Sequence, residues 1–425
     1  MRKIYQIIEY GSFVRDKEAA GFVSLPPDTF DALEDFILSN KSKGADAMEL
    51  LHLSSRKGIG KIITAKNYVG VITMKDGVSI EILPKIYSYE PSTEGKTKKL
   101  LVDMLKTLRN FPYKSLQTTH VDVAKMGIFE VFIRMFIDEV FFIVKRKLKC
   151  SYERLQSNEA VLKGKIRFSG QVRYNYAHKE RCYVEYDEFN RNCAENKLLK
   201  AALLYLYRHT GSLKNKNDIK ILLNSFAEVD ASWDYEGDFA KVIPDRNSKD
   251  YASALMWCRV FLMGKSFTSF TGSAVAFALL FPMEALFESY VAAQLRKVLD
   301  VSDYSISVQE RKYYLFDEPG ERFLLKPDIV VRDKKQGGIY VMDTKWKVLD
   351  GVKKNYGISQ ADMYQMYAYH KKYSAESVTM IYPLSEKVGE GEEIWFRAKD
   401  GVSVRVVLLD LLDVRKGVEG MVCKL

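Results

Sequence analysis

The sequence predicts an α+β multidomain chain with a β-rich N-terminal part carrying helices, a mixed middle region, and a C-terminal mixed sheet flanked by helices. Three observations carry this reading. Asp76-Gly77 separates two β-branched runs within the stretch from Gly58 to Ile86. In the middle, Leu198, Leu199, Ala202, Leu203 and Leu206 recur at helical spacing. From about Thr271 the order becomes helix, strands, helix, strands. With 425 residues, about two or three domains are expected, placed at 1–150, 151–270 and 271–425.

The elements follow in order. Ile4 to Tyr10 is a short apolar run closed by Gly11, and Pro26-Pro27-Asp28 precedes a helical pattern at Phe30, Leu33, Phe36, Ile37 and Leu38. After the Gly58 to Ile86 hairpin region, Ser88 to Thr97 has a loop composition and leads into a helix from Lys98 to Leu108. Phe129 to Lys147 reads as a long helix, Lys163 to Tyr174 and Tyr183 to Phe189 as strands, and Asn196 to Tyr207 as a helix. Further helices are expected near Ile219 to Phe226 and Ala252 to Leu262, with the Asp-rich segment Trp233 to Lys249 as a loop. Helices at Met283 to Leu299 and Ser359 to Tyr373 flank the last strands.

Composition narrows the function classes. Hydrophobic residues make up 47% and charged residues 28%, which excludes low-complexity disorder, collagen and a coiled-coil rod. The formal charge of +10 favours a polyanionic partner, nucleic acid or an anionic membrane surface, with an indifferent basic surface as an equal reading. Five cysteines without a CxxC pair point to reduced thiols in a cytoplasmic protein, and no signal peptide is evident. The most apolar stretch, Ile128 to Val144, is interrupted by Glu130, Arg134, Asp138 and Glu139, so it reads as a buried helix and not a membrane span. The five histidines lack zinc-ligand spacing, and no G-x-S-x-G marks a serine nucleophile.

The chemistry concentrates in FLLKPDIVVRDKKQGGIYVMDTKWK, Phe323 to Lys347. It reads as two strands joined by a polar turn at Asp333 to Gly338. Side chains alternate along a strand, so Ile339, Val341, Asp343 and Lys345 share one face and Tyr340, Met342, Thr344 and Trp346 the other. Antiparallel pairing brings Asp328 beside Asp343. Two carboxylates and a lysine suit metal-assisted phosphodiester hydrolysis. Mg²⁺, or Mn²⁺ in its place, takes carboxylate oxygens together with water and phosphate. The metal lowers the pKa of water and neutralises charge on phosphorus, while Lys345 orients or helps deprotonate the attacking water. The bland alternative is a pair of edge-strand acids and a surface lysine. On the helix MEALFESYVAAQLRKVL, Glu284, Glu288, Val291, Ala292, Leu295 and Leu299 form one stripe, and Glu288 is the expected further metal ligand, the alternative being a Glu that snorkels at the edge of the packed face. Gln365 and Tyr369, at i and i+4 on SQADMYQMYAYHKKY, share a helix face that suits contact with phosphate or the lysine, although by themselves they fit an ordinary amphipathic helix with a Tyr-rich packed side better.

P-D, then D-x-K, with an upstream helical Glu and a downstream Q-x-x-x-Y, resembles the PD-(D/E)xK nuclease superfamily in its RecB-like form. LFESYV, KPDIVV, DTKWK and SQADMYQMYAY, preceded by GVSIEILPKI and ENKLLKAAL, resemble the McrC family, the nuclease subunits of McrBC-type modification-dependent restriction systems. The resemblance implies a restriction-endonuclease-like α/β core and a Mg²⁺-dependent DNA endonuclease. It assigns metal binding to Asp328, Asp343 and Glu288, the catalytic lysine to Lys345, and the supporting pair to Gln365 and Tyr369. It also implies double-stranded DNA as substrate and an AAA+ NTPase ring of McrB type as partner, entered by the N-terminal part and stimulated by it. The chain has no Walker A motif of its own, since position 259 is Arg before Gly264-Lys265-Ser266, so no nucleotide is expected to bind it. Arg56, Lys57, Lys61 and Lys66 in the basic hairpin region are candidate ring or DNA contacts, with an ordinary solvated hairpin as the equal reading. The alternatives are a non-catalytic activator of a partner NTPase and a RecB-like repair nuclease or Cas4-like exonuclease. The last often carries a Cys-rich cluster, which Cys423 alone cannot supply.

Overall fold

The computed structural model describes residues 3–41, 50–85, 94–108, 126–242, 249–263, 275–384, 388 and 394–422. Gly264-Lys265-Ser266 and Cys423 lie outside them.

Two four-stranded sheets build the N-terminal part. One runs in the order Ile4–Ile8, Ser79–Leu83, Tyr68–Met74, Val275–Pro282; the other in the order Val23–Leu25, Ser12–Arg15, Gly60–Ala65, Leu51–Arg56. The hairpin expected at Asp76-Gly77 is present. Gly77, at φ 89°, donates its N–H to Met74 O at 3.0 Å, and Asp76 accepts from Val78 N at 2.9 Å. Helix Pro27–Lys41 covers a core of Phe13, Leu25, Phe30, Leu33 and Ile80. Val275–Pro282 joins this sheet from beyond residue 271, antiparallel to Tyr68–Met74. Gly70 allows that approach: at φ 140°, a Cβ there would stand 1.9 Å from Leu279 O.

The middle is mostly helical. Ile128–Lys145, Ala194–His209, Leu213–Ser225 and Ala252–Met263 pack around Phe132, Phe136, Trp257 and Phe261. Arg134 in this core is held by Asp138 and Asp218. Among the described residues no helix is long and apolar enough to cross a membrane.

Three expectations are corrected. Lys163 to Tyr174 is not a strand: only Lys165–Ile166 pairs, and Phe168–Asn175 is a helix. Gln171 and Asn175, one turn apart, hydrogen-bond each other and reach Tyr183 N and Arg181 O, while Gly170 sits against the Tyr183 ring. These contacts outweigh the alternation of Ile166 and Phe168. The polar run after Trp233 contains the helix Tyr235–Lys241, started by Asp234, which accepts from Gly237 N at 3.0 Å. The helix expected from Lys98 begins at Glu94 and ends at Leu105.

The C-terminal sheet has six strands in the order Tyr304–Val308, Ile329–Asp333, Ile339–Thr344, Ser377–Pro383, Ser403–Leu409, Ile394–Arg397. Its faces divide by the two-residue period. Ile329, Val331, Tyr340 and Met342 pack with helices Met283–Val298 and Val414–Val422, whereas Val330, Val341, Val378 and Met380 pack with helix Gln360–Tyr373.

Trp346, just past the third strand, binds the N-terminal sheet. Its Nε1 donates to Glu9 Oε1 at 3.2 Å and Oε2 at 3.0 Å, and Lys85 N donates to Glu9 Oε2 at 3.2 Å. Glu9 is 2% exposed. Burial pushes its carboxyl up to about 7, with Glu284 adding in the same direction and the Trp346 and Lys85 contacts opposing. A carboxyl whose folded value lies above its ordinary 4.5 binds protons more tightly in the folded chain. Its ionisation penalty is therefore absent below pH 4.5, grows up to about pH 7 and is constant above. Glu9→Gln keeps an acceptor and removes the ionisation. Its stability relative to wild type is expected to rise by on the order of 3 kcal/mol across that window and then level off. Urea unfolding at several pH values checks this, and parallel pH profiles for the two chains would contradict it.

Candidate active site

The turn between the second and third strands fixes the site. Gly337, at φ 79°, donates to Asp333 O at 3.0 Å, and Asp333 N donates to Gly338 O at 2.9 Å. The resulting register pairs Ile329 with Met342, which sets Asp328 opposite Asp343 one step beyond the ladder. There a side chain replaces the backbone acceptor. Asp328 Oδ2 takes the N–H of Thr344 at 2.8 Å and its hydroxyl at 2.7 Å.

Asp343 and Lys345 face helix Gln360–Tyr373, as the alternation requires. Lys345 Nζ lies 2.7 Å from Asp343 Oδ2 and 3.9 Å from Asp362 Oδ1. It also donates to Gln365 Oε1 at 3.3 Å, and Gln365 Nε2 donates to the Tyr369 hydroxyl at 2.8 Å. The Q-x-x-x-Y pair thus holds the lysine through one link. The helix is set by Ser359, whose hydroxyl accepts from Asp362 N at 3.1 Å.

Glu288 completes the group from the other face. Gln309 Nε2 donates to Glu288 Oε1 at 2.6 Å and to Asp328 Oδ1 at 3.4 Å. The expected acidic stripe is partly wrong. Met283, Leu286, Phe287, Tyr290 and Val291 form the buried face. Glu288 lies at its edge, and Glu284 is exposed, accepting from Asn67 Nδ2 at 2.6 Å.

Burial, and then crowded negative charge, sets the electrostatics. Burial pushes Glu288 up to about 7, with Asp328 the next contributor. Burial and then Asp328 push Asp343 up to about 6 against the opposing pull of Lys345. Burial alone would lower Lys345, but Asp343, Asp362 and Asp328 outweigh it, so the ammonium is held protonated.

These residues fit a divalent cation. The donors are hard carboxylate oxygens in excess over Lys345 and Lys326, the lysines that act on them. The buried Asp343 Oδ2 accepts from the Lys345 ammonium at 2.7 Å. Among the described residues no three Asp, Glu, His or Cys side chains form a ready-made cage, and the Gln309 amide links Glu288 and Asp328.

Arg56, Lys57, Lys61 and Lys66 are not brought to this group. They belong to the Leu51–Arg56 and Gly60–Ala65 hairpin and its exit, where Lys61 pairs with Glu34 at 2.6 Å. A different exposed surface went unnoticed in the sequence. The sheet of Ser151–Glu159, Cys182–Asn190 and Lys165–Ile166 with helix Phe168–Asn175 leaves Phe168 77% and Tyr176 86% exposed. Lys163, Lys165, Arg167, Arg173, Lys179 and Arg181 surround them, all exposed.

Residues 63–383, about three quarters of the chain, match the model of the McrBC 5-methylcytosine restriction system component family. The chain belongs to this family. Among solved structures, a chain in the refined half-complex from the tetradecameric assembly of Thermococcus gammatolerans McrB AAA+ hexamers with bound McrC is similar to it, with a TM-score of 0.72 and 18% identity over 99% of this chain and 100% of that one. A chain in the cryo-EM structure of the Thermococcus gammatolerans McrBC complex gives a TM-score of 0.51 and 18% identity, over 70% of this chain and 88% of that one. At this identity the likeness is one of fold. No curated protein matches the chain.

For this McrBC-family chain the crowding has a direct test. Asp328→Asn removes the negative charge nearest both raised carboxyls. Glu288 and Asp343 are then expected to titrate below about 7 and about 6, respectively. Carboxyl NMR titration in chelator reads both, and unchanged values would contradict the assignment.

Proposed function

We propose that this chain is the nuclease subunit of a McrBC-type restriction system, a Mg²⁺-dependent DNA endonuclease that acts with an AAA+ NTPase ring of McrB type and stimulates its NTP hydrolysis. The observation carrying this reading is the convergence of Asp328, Asp343 and Lys345 at one strand end, beside Glu288, in a chain of the McrBC family.

Asp328, Asp343 and Glu288 would hold the cation. When bound, Mg²⁺ supplies charge neutralisation at phosphorus and a lowered pKa for water. The chain's own groups do the rest. Lys345, protonated between Asp343 and Asp362, presents a cation to a phosphate oxygen and orients the attacking water. Gln365 and Tyr369 limit the directions in which that ammonium can point. Its raised pKa favours the orienting role over proton removal at neutral pH.

The partner's part draws on a different surface. The McrBC complexes of Thermococcus gammatolerans contain McrB AAA+ hexamers with bound McrC. Exposed aromatic side chains amid bases, as on Phe168–Asn175 and its sheet, are a contact surface in want of a partner. We place the ring contact there; one charge is already matched on each surface, Arg167 by Glu185 and Lys61 by Glu34, but the hairpin of Arg56, Lys57, Lys61 and Lys66 carries no Phe, Tyr or Trp.

One experiment separates nuclease from activator. The full chain is combined with its AAA+ partner, modified DNA, NTP and Mg²⁺. Asp343→Ala is expected to lower cleavage by roughly 10³-fold while NTPase stimulation persists. Phe168→Ser combined with Tyr176→Ser is expected to lose the stimulation. Undiminished cleavage by Asp343→Ala would sink the active-site assignment. Full stimulation by the double variant would sink the contact surface.

A further inference from the structure

Strand Tyr304–Val308 pairs with Ile329–Asp333 so that Val308 faces Ile329. One step beyond, Gln309 faces Asp328, as Asp328 faces Asp343 on the other side. Gln309, Asp328 and Asp343 therefore form one row across three strand ends.

Gln309 does not continue the strand. It turns into the left-handed region at φ 52°, where few residues other than Gly settle. Its N–H donates to Asp328 O at 2.9 Å, which anchors the turn. The turn aims the side-chain amide between two acids that come from different elements, 2.6 Å from Glu288 Oε1 and 3.4 Å from Asp328 Oδ1. A single nitrogen carries two N–H groups, so it can serve both carboxylates at once. No other described side chain is hydrogen-bonded to both.

We infer that Gln309 is a positioning residue of the acidic site, whose side-chain amide ties Glu288 to Asp328 and orients their carboxylates for a divalent cation. The inference rests on the reading of that site as a cation site. Hydrogen-bond partners of ligating carboxylates set the geometry that the ion meets, and losing one weakens metal binding by roughly 10- to 100-fold.

The backbone supplies a clean variant. Gln309→Gly deletes the amide at a position whose φ suits glycine, so the variant adds no backbone strain. Mn²⁺ binding to the full-length chain is measured by titration calorimetry without DNA or nucleotide, next to thermal unfolding in chelator. Gln309→Gly is expected to bind Mn²⁺ roughly 10- to 100-fold more weakly than wild type, while still unfolding in one cooperative transition in chelator. Gln309→Ala should weaken binding similarly. Asp343→Ala defines the signal that belongs to this site. If wild type binds Mn²⁺ and Gln309→Gly binds it as tightly, Gln309 has no positioning role and the cation site stands. If wild type and Asp343→Ala are indistinguishable, the cation reading falls and this inference falls with it.

Discussion

A slip of one residue between Ile329–Asp333 and Ile339–Thr344 would turn Asp343 and Lys345 to the opposite face of the sheet and part Asp328 from both. The Asp333 to Gly338 turn prevents it, together with the burial of Val341 on one face and Met342 on the other. Everything proposed for the chemistry depends on this register. Asp328 enters the row as the acceptor that Thr344 would otherwise lack, so the ladder's own hydrogen bonding carries the carboxylate to its place.

Placing three acids at one strand end is costly, and the surroundings divide that cost. Lys345 answers Asp343, Thr344 answers Asp328, and Gln309 answers Glu288. Burial, with the charge that remains unanswered, raises the pKa values of Glu288 and Asp343. A site built this way is short of positive charge, which is the property a divalent cation relieves. The same strand end is tied to the N-terminal sheet, because Trp346 binds Glu9 and packs 5.3 Å from Phe287. Trp346 follows Lys345 and Phe287 precedes Glu288, so one buried contact steadies both sides of the site.

Much of this was legible in the sequence because it is local. Period-two alternation put Asp343 and Lys345 on one face, Asp76-Gly77 and the Asp333 to Gly338 turn fixed two hairpins, and i, i+4 spacing paired Gln365 with Tyr369. What escaped depends on contacts remote in sequence. Gln309 gains its role only when a strand end folds back on Asp328, Glu9 meets Trp346 across the chain, and Asp362 matters only once its helix lies over Lys345. Val275–Pro282 reads as an apolar run and discloses its sheet only through Gly70. Phe168–Asn175 and Tyr235–Lys241 were misread because side-chain contacts and a capping Asp outweighed the local pattern.

The proposed divalent-cation site of Glu288, Asp328 and Asp343, served by Lys345, can be seen by anomalous diffraction from crystals of the full chain soaked in Mn²⁺. A strong anomalous peak is expected in contact with the Asp328 and Asp343 carboxylates, lost in Asp343→Ala crystals soaked alike. Well-ordered carboxylates with no peak beside them, or a peak that survives the substitution, would contradict it.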